Sequence, residues 1–128
     1  MGRLRPEFLE RVETFSHRVV DVADALQADR RSVRITDQIT GSGTSVSANL
    51  SEADEALSRP DFCKCVGIAL KELAETRFWL RFIAKRNWLE PKRLDPLLTE
   101  ASEIRRILGA ILTKSRIKRT SSTRSAPV

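Results

Sequence analysis

The sequence is poor in the residues that most often carry chemistry: one histidine, two cysteines, no tyrosine and only five glycines in 128 residues. With His17 alone and no Gly-rich phosphate loop or activated nucleophile pair, hydrolase and transferase chemistry has no residues to rest on, and no enzymatic activity is expected. Cys63 and Cys65 are two positions apart, about 200° round a helix, which keeps them from pairing or sharing one metal, so reduced thiols are expected. No apolar run reaches the roughly 18 residues of a membrane span, and none follows the basic N-terminus as a secretion signal would, so a cytoplasmic protein is expected. Alternating strand patterns bounded by hairpin turns are also missing.

What is present is helical periodicity. Phe8, Val12, Phe15, Val19, Ala23 and Leu26 recur at steps of three and four, predicting a helix from about Glu7 to Ala28 with Pro6 in its first turn. Ser32 is placed to cap a second helix from about Val33 to Leu57. Its apolar positions Ile35, Ile39, Val46, Leu50, Ala53 and Leu57 fall within an arc of about 60°. Gly41 and Gly43 interrupt it at about 1 kcal/mol each relative to Ala, which points to close approach of a neighbouring helix or to local irregularity.

Ser58, Pro60 and Asp61 form the strongest helix start in the chain. The helix they open is predicted to reach about Arg86, with Phe62, Val66, Ala69, Leu73, Thr76 and Leu80 on its core stripe. After a loop over 87–94, Asp95 and Pro96 read as the start of a fourth helix lined by Leu97, Ala101, Ile104, Leu108, Ile111 and Leu112. Residues 118–128 lack the apolar content that offsets ordering entropy, and a disordered basic tail is expected there. Residues 1–117 thus read as one all-α domain, an antiparallel up-down-up-down four-helix bundle.

Three groups of side chains are candidates for function. Relative to Leu73, the residues Ile68, Phe78, Trp79 and Phe82 lie about 120–180° round the third helix, in company with Lys64, Lys71 and Glu75. Either a neighbouring helix wraps far enough to cover these aromatics, or copies of the chain meet there. On the second helix Gln38, Ser45, Asn49 and Glu52 line one flank, and Lys71, Glu72 and Glu75 of the third helix could approach them if the two helices are antiparallel. A polar seam that fixes helix register is the expected role. A carboxylate metal site is the sharper alternative, but it lacks the Glu-x-x-His pairs such sites use, so no metal or cofactor is expected.

The third group is cationic. Residues 1–60 hold 8 Lys/Arg against 10 Asp/Glu, whereas residues 61–128 hold 15 against 7. The excess comprises Arg77, Arg81, Lys85 and Arg86 on the third helix, Lys92 and Arg93 in the loop, and Arg105, Arg106, Lys114, Arg116 and Lys118 beyond it. Positive charge on a surface attracts phosphate without precise geometry, so RNA or DNA is the expected partner, with a protein-protein scaffold as the alternative.

The stretch from Gln38 through Gly41, Gly43, Ser45 and Asn49 to Ala53, with Ser58 to Phe62 and Ile68 to Arg81, resembles the four-helix bundle proteins encoded in intervening sequences of bacterial 23S ribosomal RNA genes. The resemblance covers about residues 8–115. Arg77 to Phe82, together with Arg106 to Gly109, is also similar to the accessory variability protein of diversity-generating retroelements. These resemblances imply a homopentamer, no catalysis, and in the retroelement branch a basic surface engaging nucleic acid and a reverse transcriptase. They carry over Gln38, Ser45, Asn49, Glu52, Lys71, Glu72 and Glu75 as structural polar contacts.

Overall fold

Helix ends are where this chain's local chemistry is most explicit. In the computed structural model, which describes the backbone of residues 2–125 and the side chains of residues 2–117, four helices follow one another: α1 (Pro6–Ala28), α2 (Val33–Asp54), α3 (Arg59–Lys85) and α4 (Pro91–Ser125). Among the described residues there is no strand. Ser32 Oγ accepts the Ile35 amide at 3.3 Å and Ser58 Oγ accepts the Asp61 amide at 3.2 Å, each satisfying an amide that the first helical turn leaves unpaired. Asp61 reciprocates by accepting the Leu57 amide at 3.4 Å.

The C-terminal ends of α1 and α3 share one design. Arg30 and Asn87 both take φ of 57°, and the residue after each donates its amide to a carbonyl of the preceding turn, Arg31 to Leu26 at 2.9 Å and Trp88 to Ile83 at 3.3 Å. This left-handed closure satisfies terminal carbonyls and turns the chain sharply. Glycine usually supplies it; here arginine and asparagine do, at some conformational cost.

The predicted stripes meet in one core. Val12, Phe15, Val19 and Leu26 of α1, Ile39, Val46 and Leu50 of α2, Val66, Leu73, Leu80 and Ile83 of α3, and Ala101, Ile104 and Leu108 of α4 are all completely buried. Each helix packs mainly on its sequence neighbours, most extensively α2 on α3, while α1 and α4 touch least. The segment leading into α1 meets the end of α2 and the turn after it: the Leu4 amide donates to Asp54 Oδ1 at 2.7 Å, and Arg3 Nε to the Ala56 carbonyl at 3.0 Å. The α1–α4 seam is clasped by Arg11, whose guanidinium holds both Glu100 carboxylate oxygens at 2.7 and 2.8 Å and reaches Glu103 at 3.4 Å.

Three sequence expectations are corrected. Helix α2 stops at Asp54, so Leu57 falls in the turn and is 95% exposed instead of lining the core. Helix α4 begins at Pro91, which needs no amide partner at the first position, and Pro96 lies inside it. Starting there lets Leu94 as well as Leu97 reach the interior. Helix α4 also continues to Ser125, past the boundary expected at 117, since extending an existing helix is far cheaper than starting one. Residues 126–128 of the expected tail, and the side chain of Lys118, lie outside the described residues.

Candidate nucleic-acid interface

The described cations of α3, α4 and the turn between them divide into four places. Arg77 and Arg81 are one turn apart on α3, and Arg105 comes close enough from α4 for its charge to act on Arg77. The Arg77 side chain is half-buried, and its Nε is shielded from solvent with no hydrogen-bond partner, alone in this among the described residues. Burial, then the positive charges of Arg105 and Arg81, push its guanidinium below the ordinary value. A partly desolvated cation facing two others without a carboxylate between them is an unfavourable arrangement that an anion would relieve.

Lys85, Arg86, Lys92 and Arg93 stand exposed at the end of the bundle where α3 turns into α4. Lys92 is engaged by Glu90 at 3.2 Å, and Arg86 lies over the Trp88 ring at 5.7 Å. Lys114 belongs to the opposite end. There it shares a cleft of about 960 Å³ between α1 and α4 with Arg3, Arg5 and Arg59, over a floor that includes Phe8 and Ile111. Arg106 and Arg116 are exposed along α4. The ten of the eleven expected cations whose side chains are described therefore do not form one patch. Helix periodicity spreads them, and among the described residues Arg77 and Arg81 of α3 and Arg105 of α4 are the group whose charges act on one partly buried guanidinium.

The signal that sequence counting missed lies in the acidic half. Arg31 sits 5.3 Å over the same Trp88 ring as Arg86, so the α1–α2 connection with Arg30, Arg31 and, in the next turn, Arg34 joins the basic end formed by α3 and α4. Dividing charge by position along the chain hid this, because folding pairs loops from opposite halves.

The aromatics of α3 and Trp88 of the α3–α4 connection form a continuous edge-to-face series. Phe78 to Trp79 is 4.9 Å between centroids, Trp79 to Phe82 5.8 Å, and Phe82 to Trp88 5.9 Å. Phe78 is 49% and Ile68 36% exposed, as the wheel requires. Trp79 departs from that expectation: it is half-buried against the core, its indole N–H donating to Glu75 at 3.3 Å, because so large a ring on the flank of the stripe still reaches the interior. Phe82 is half-buried too, while Lys64 and Lys71 are exposed.

The expected polar seam is also relocated. Gln38 and Glu52 are exposed, Ser45 and Glu72 are half-buried, and the Asn49 amide donates to the Ser45 carbonyl within its own helix at 2.9 Å. Polar contacts between helices are made instead by small hydroxyls. Ser16 Oγ donates to the Gly43 carbonyl at 2.6 Å and lies 2.8 Å from Ser47 Oγ, while Thr76 Oγ1 lies 3.0 Å from Ser42 Oγ. Long polar side chains on the flank find water more cheaply than partners, whereas short hydroxyls at the contact line must pair. Among the described residues, no three His, Cys, Asp or Glu side chains gather as a metal would need, and no helix is long and apolar enough to cross a membrane.

Fold and site together define a small helical-bundle protein with unmatched cations on α3 and α4 and a partly uncovered aromatic face. The chain belongs to the 23S rRNA-intervening sequence protein family, whose sequence model matches residues 7–110. Among solved structures it is similar to a protein of unknown function from the S23 ribosomal protein family of Bacteroides thetaiotaomicron VPI-5482. Identity is 30% over 82% of this chain and 97% of that one, with a TM-score of 0.78. No curated protein matches the chain. Neither the family's description nor that structure's carries a catalytic activity.

Proposed function

We propose that this chain is a non-catalytic accessory protein of the bacterial cytoplasm that binds RNA or DNA through the basic surface of α3 and α4. The observation that carries this is the Arg77, Arg81 and Arg105 group, with its shielded and unpartnered Nε. A structural arginine of that burial would hold a carboxylate, as Arg11 does with Glu100; a phosphate oxygen would complete the group instead. The family's tie to 23S rRNA intervening sequences agrees with this function, and the similarity of Arg77 to Phe82 to the retroelement accessory protein supports a reverse transcriptase as a further partner.

Fluorescence anisotropy of labelled RNA and DNA across a salt series tests it. Affinity should fall linearly with salt on logarithmic axes, and Arg81→Ala with Arg105→Ala should flatten the slope by about one for each phosphate left without its cation. Affinity that does not change between low and high salt would leave a protein scaffold as the remaining function.

The bundle is read as antiparallel, up-down-up-down, from the pairing of Leu4 with Asp54 and of Ser16 with Gly43 across α1 and α2. Phe78 and Ile68 support assembly through the outer face of α3, with a homopentamer the expected form. Light scattering on Ile68→Ser with Phe78→Ser separates assembly from core packing, since both side chains stand outside the core. Unchanged mass with intact helicity would remove α3 from the interface.

A further inference from the structure

At the end of the bundle carrying the α1–α2 and α3–α4 connections lies a cavity of about 310 Å³, bounded by Gln27, Arg30, Arg31, Val33, Thr36 and Asp37. We propose that this cavity seats one unpaired base of single-stranded nucleic acid, with guanine the best fit, beside the Arg31 and Trp88 stack. The site rests on the nucleic-acid function proposed above and names the form of nucleic acid it would take.

Several independent features converge there. Val33 is 74% exposed at the first position of α2, an apolar surface that contributes nothing to the core and would cover the face of a base. Asp37 is exposed and in no ion pair, and its carboxylate has the two acceptors that the N1–H and N2–H₂ edge of guanine offers to fill. Gln27 adds an amide at the cavity wall. The Arg31 guanidinium offers both a stacking plane and donors for guanine O6 and N7. It is held 5.3 Å from the Trp88 ring centroid, and the left-handed turn at Arg30 sets the course of the chain just before it.

Around this centre Arg30, Arg34, Lys85 and Arg86 are exposed and unpaired with any carboxylate, positioned for the flanking phosphates. A half-buried indole with two arginine guanidiniums over its ring, beside a pocket of single-base size, combines the aromatic platform and the basic track that single strands use. A duplex keeps its bases stacked inside and would meet only the cations.

The test uses the full chain carrying Trp79→Phe, which leaves Trp88 as the sole indole. Single-stranded RNAs of about 12 nucleotides, all uridine or with one central guanine, are compared with a hairpin duplex. Anisotropy of the labelled RNA reports binding, and Trp88 emission reports occupancy of this end. The guanine-containing strand should shift Trp88 emission and bind about tenfold more tightly than the uridine strand. Asp37→Asn should abolish that preference while leaving salt-dependent binding of the uridine strand. Val33→Glu should weaken binding of both strands, and circular dichroism should show unchanged helicity for these two surface variants.

If anisotropy rises while Trp88 emission stays constant and both variants bind as the parent does, this site is overturned and nucleic-acid binding elsewhere on the bundle stands. If no RNA raises the anisotropy at low salt, both fall together.

Discussion

Gly41 and Gly43 lie two residues apart on α2 and have the same intrinsic cost to a helix, yet the tertiary structure predicts opposite outcomes for replacing them with alanine. Neither has positive φ, so the backbone permits alanine at both. A Cβ at Gly41 would meet nothing within 4 Å, and Gly41→Ala should simply collect the helix-propensity gain of about 1 kcal/mol. A Cβ at Gly43 would fall 2.5 Å from Val19 Cγ1 and 3.0 Å from Val19 Cβ, where carbon atoms prefer about 3.5–4.0 Å. Relief requires α1 and α2 to part by roughly 1 Å, at an overpacking cost of about 1–3 kcal/mol. It would also stretch the 2.6 Å bond from Ser16 Oγ to the Gly43 carbonyl. Propensity cancels between the two variants, so their difference in stability is the packing cost itself. At about 4 °C per kcal/mol for a chain of this size, the melting temperatures should differ by roughly 4–12 °C, with Gly41→Ala above the parent. Urea unfolding followed by circular dichroism measures this, with an unchanged m-value showing that stability alone has moved. Val19→Ala in the Gly43→Ala background should recover part of the loss as a favourable coupling. A Gly43→Ala protein as stable as Gly41→Ala would refute the close approach of α1 and α2 at this point.

Glu100→Gln should cost about 1 kcal/mol at neutral pH, nearer the value of a solvent-screened pair because the Arg11 side chain is 36% exposed. The hydrogen bond from Arg11, opposed in part by burial, holds the Glu100 carboxyl below its ordinary value. Its stabilisation is therefore complete above the unfolded carboxylate range, about pH 4.3, and is lost as pH falls through the lower folded value. The acid limb of the stability profile should be shallower in Glu100→Gln, and identical limbs would count against the clasp. Thr76→Val keeps volume but removes the hydroxyl 3.0 Å from Ser42 Oγ, and denaturant titration should show a loss of about 1 kcal/mol. Burial, reinforced by the charges of Asp61 and Glu52, pushes the Cys65 thiol up, so a disulfide reagent at mildly alkaline pH should label it slowly in the folded protein and promptly in urea. Rapid labelling of the native chain would show that the α3 N-terminal region opens readily.

Periodicity, caps and composition by themselves determined the helical class, three of the four starts to within a residue and most of the core, though not Val22, Ile83 or Leu94. Those features act locally: an apolar residue every three or four positions gives a helix one buried side, and Ser32 or Ser58 accepts an amide only a few residues on. Where another part of the chain decides the outcome, local signals were insufficient. Asp95 and Pro96 looked like a better helix start than Pro91 until Leu94 was required inside. The flank of Gln38, Ser45, Asn49 and Glu52 looked like a seam because its spacing was regular, but spacing says nothing of how near the neighbouring backbone comes. That distance is set at Gly43 by Val19, and it selects Ser16, Ser42 and Thr76 as the paired hydroxyls. Charge behaved the same way. Its total and its excess in the second half are properties of composition, whereas the convergence of Arg77 with Arg105, and of Arg31 with Trp88, exists only once helices pack and loops from distant positions share one end.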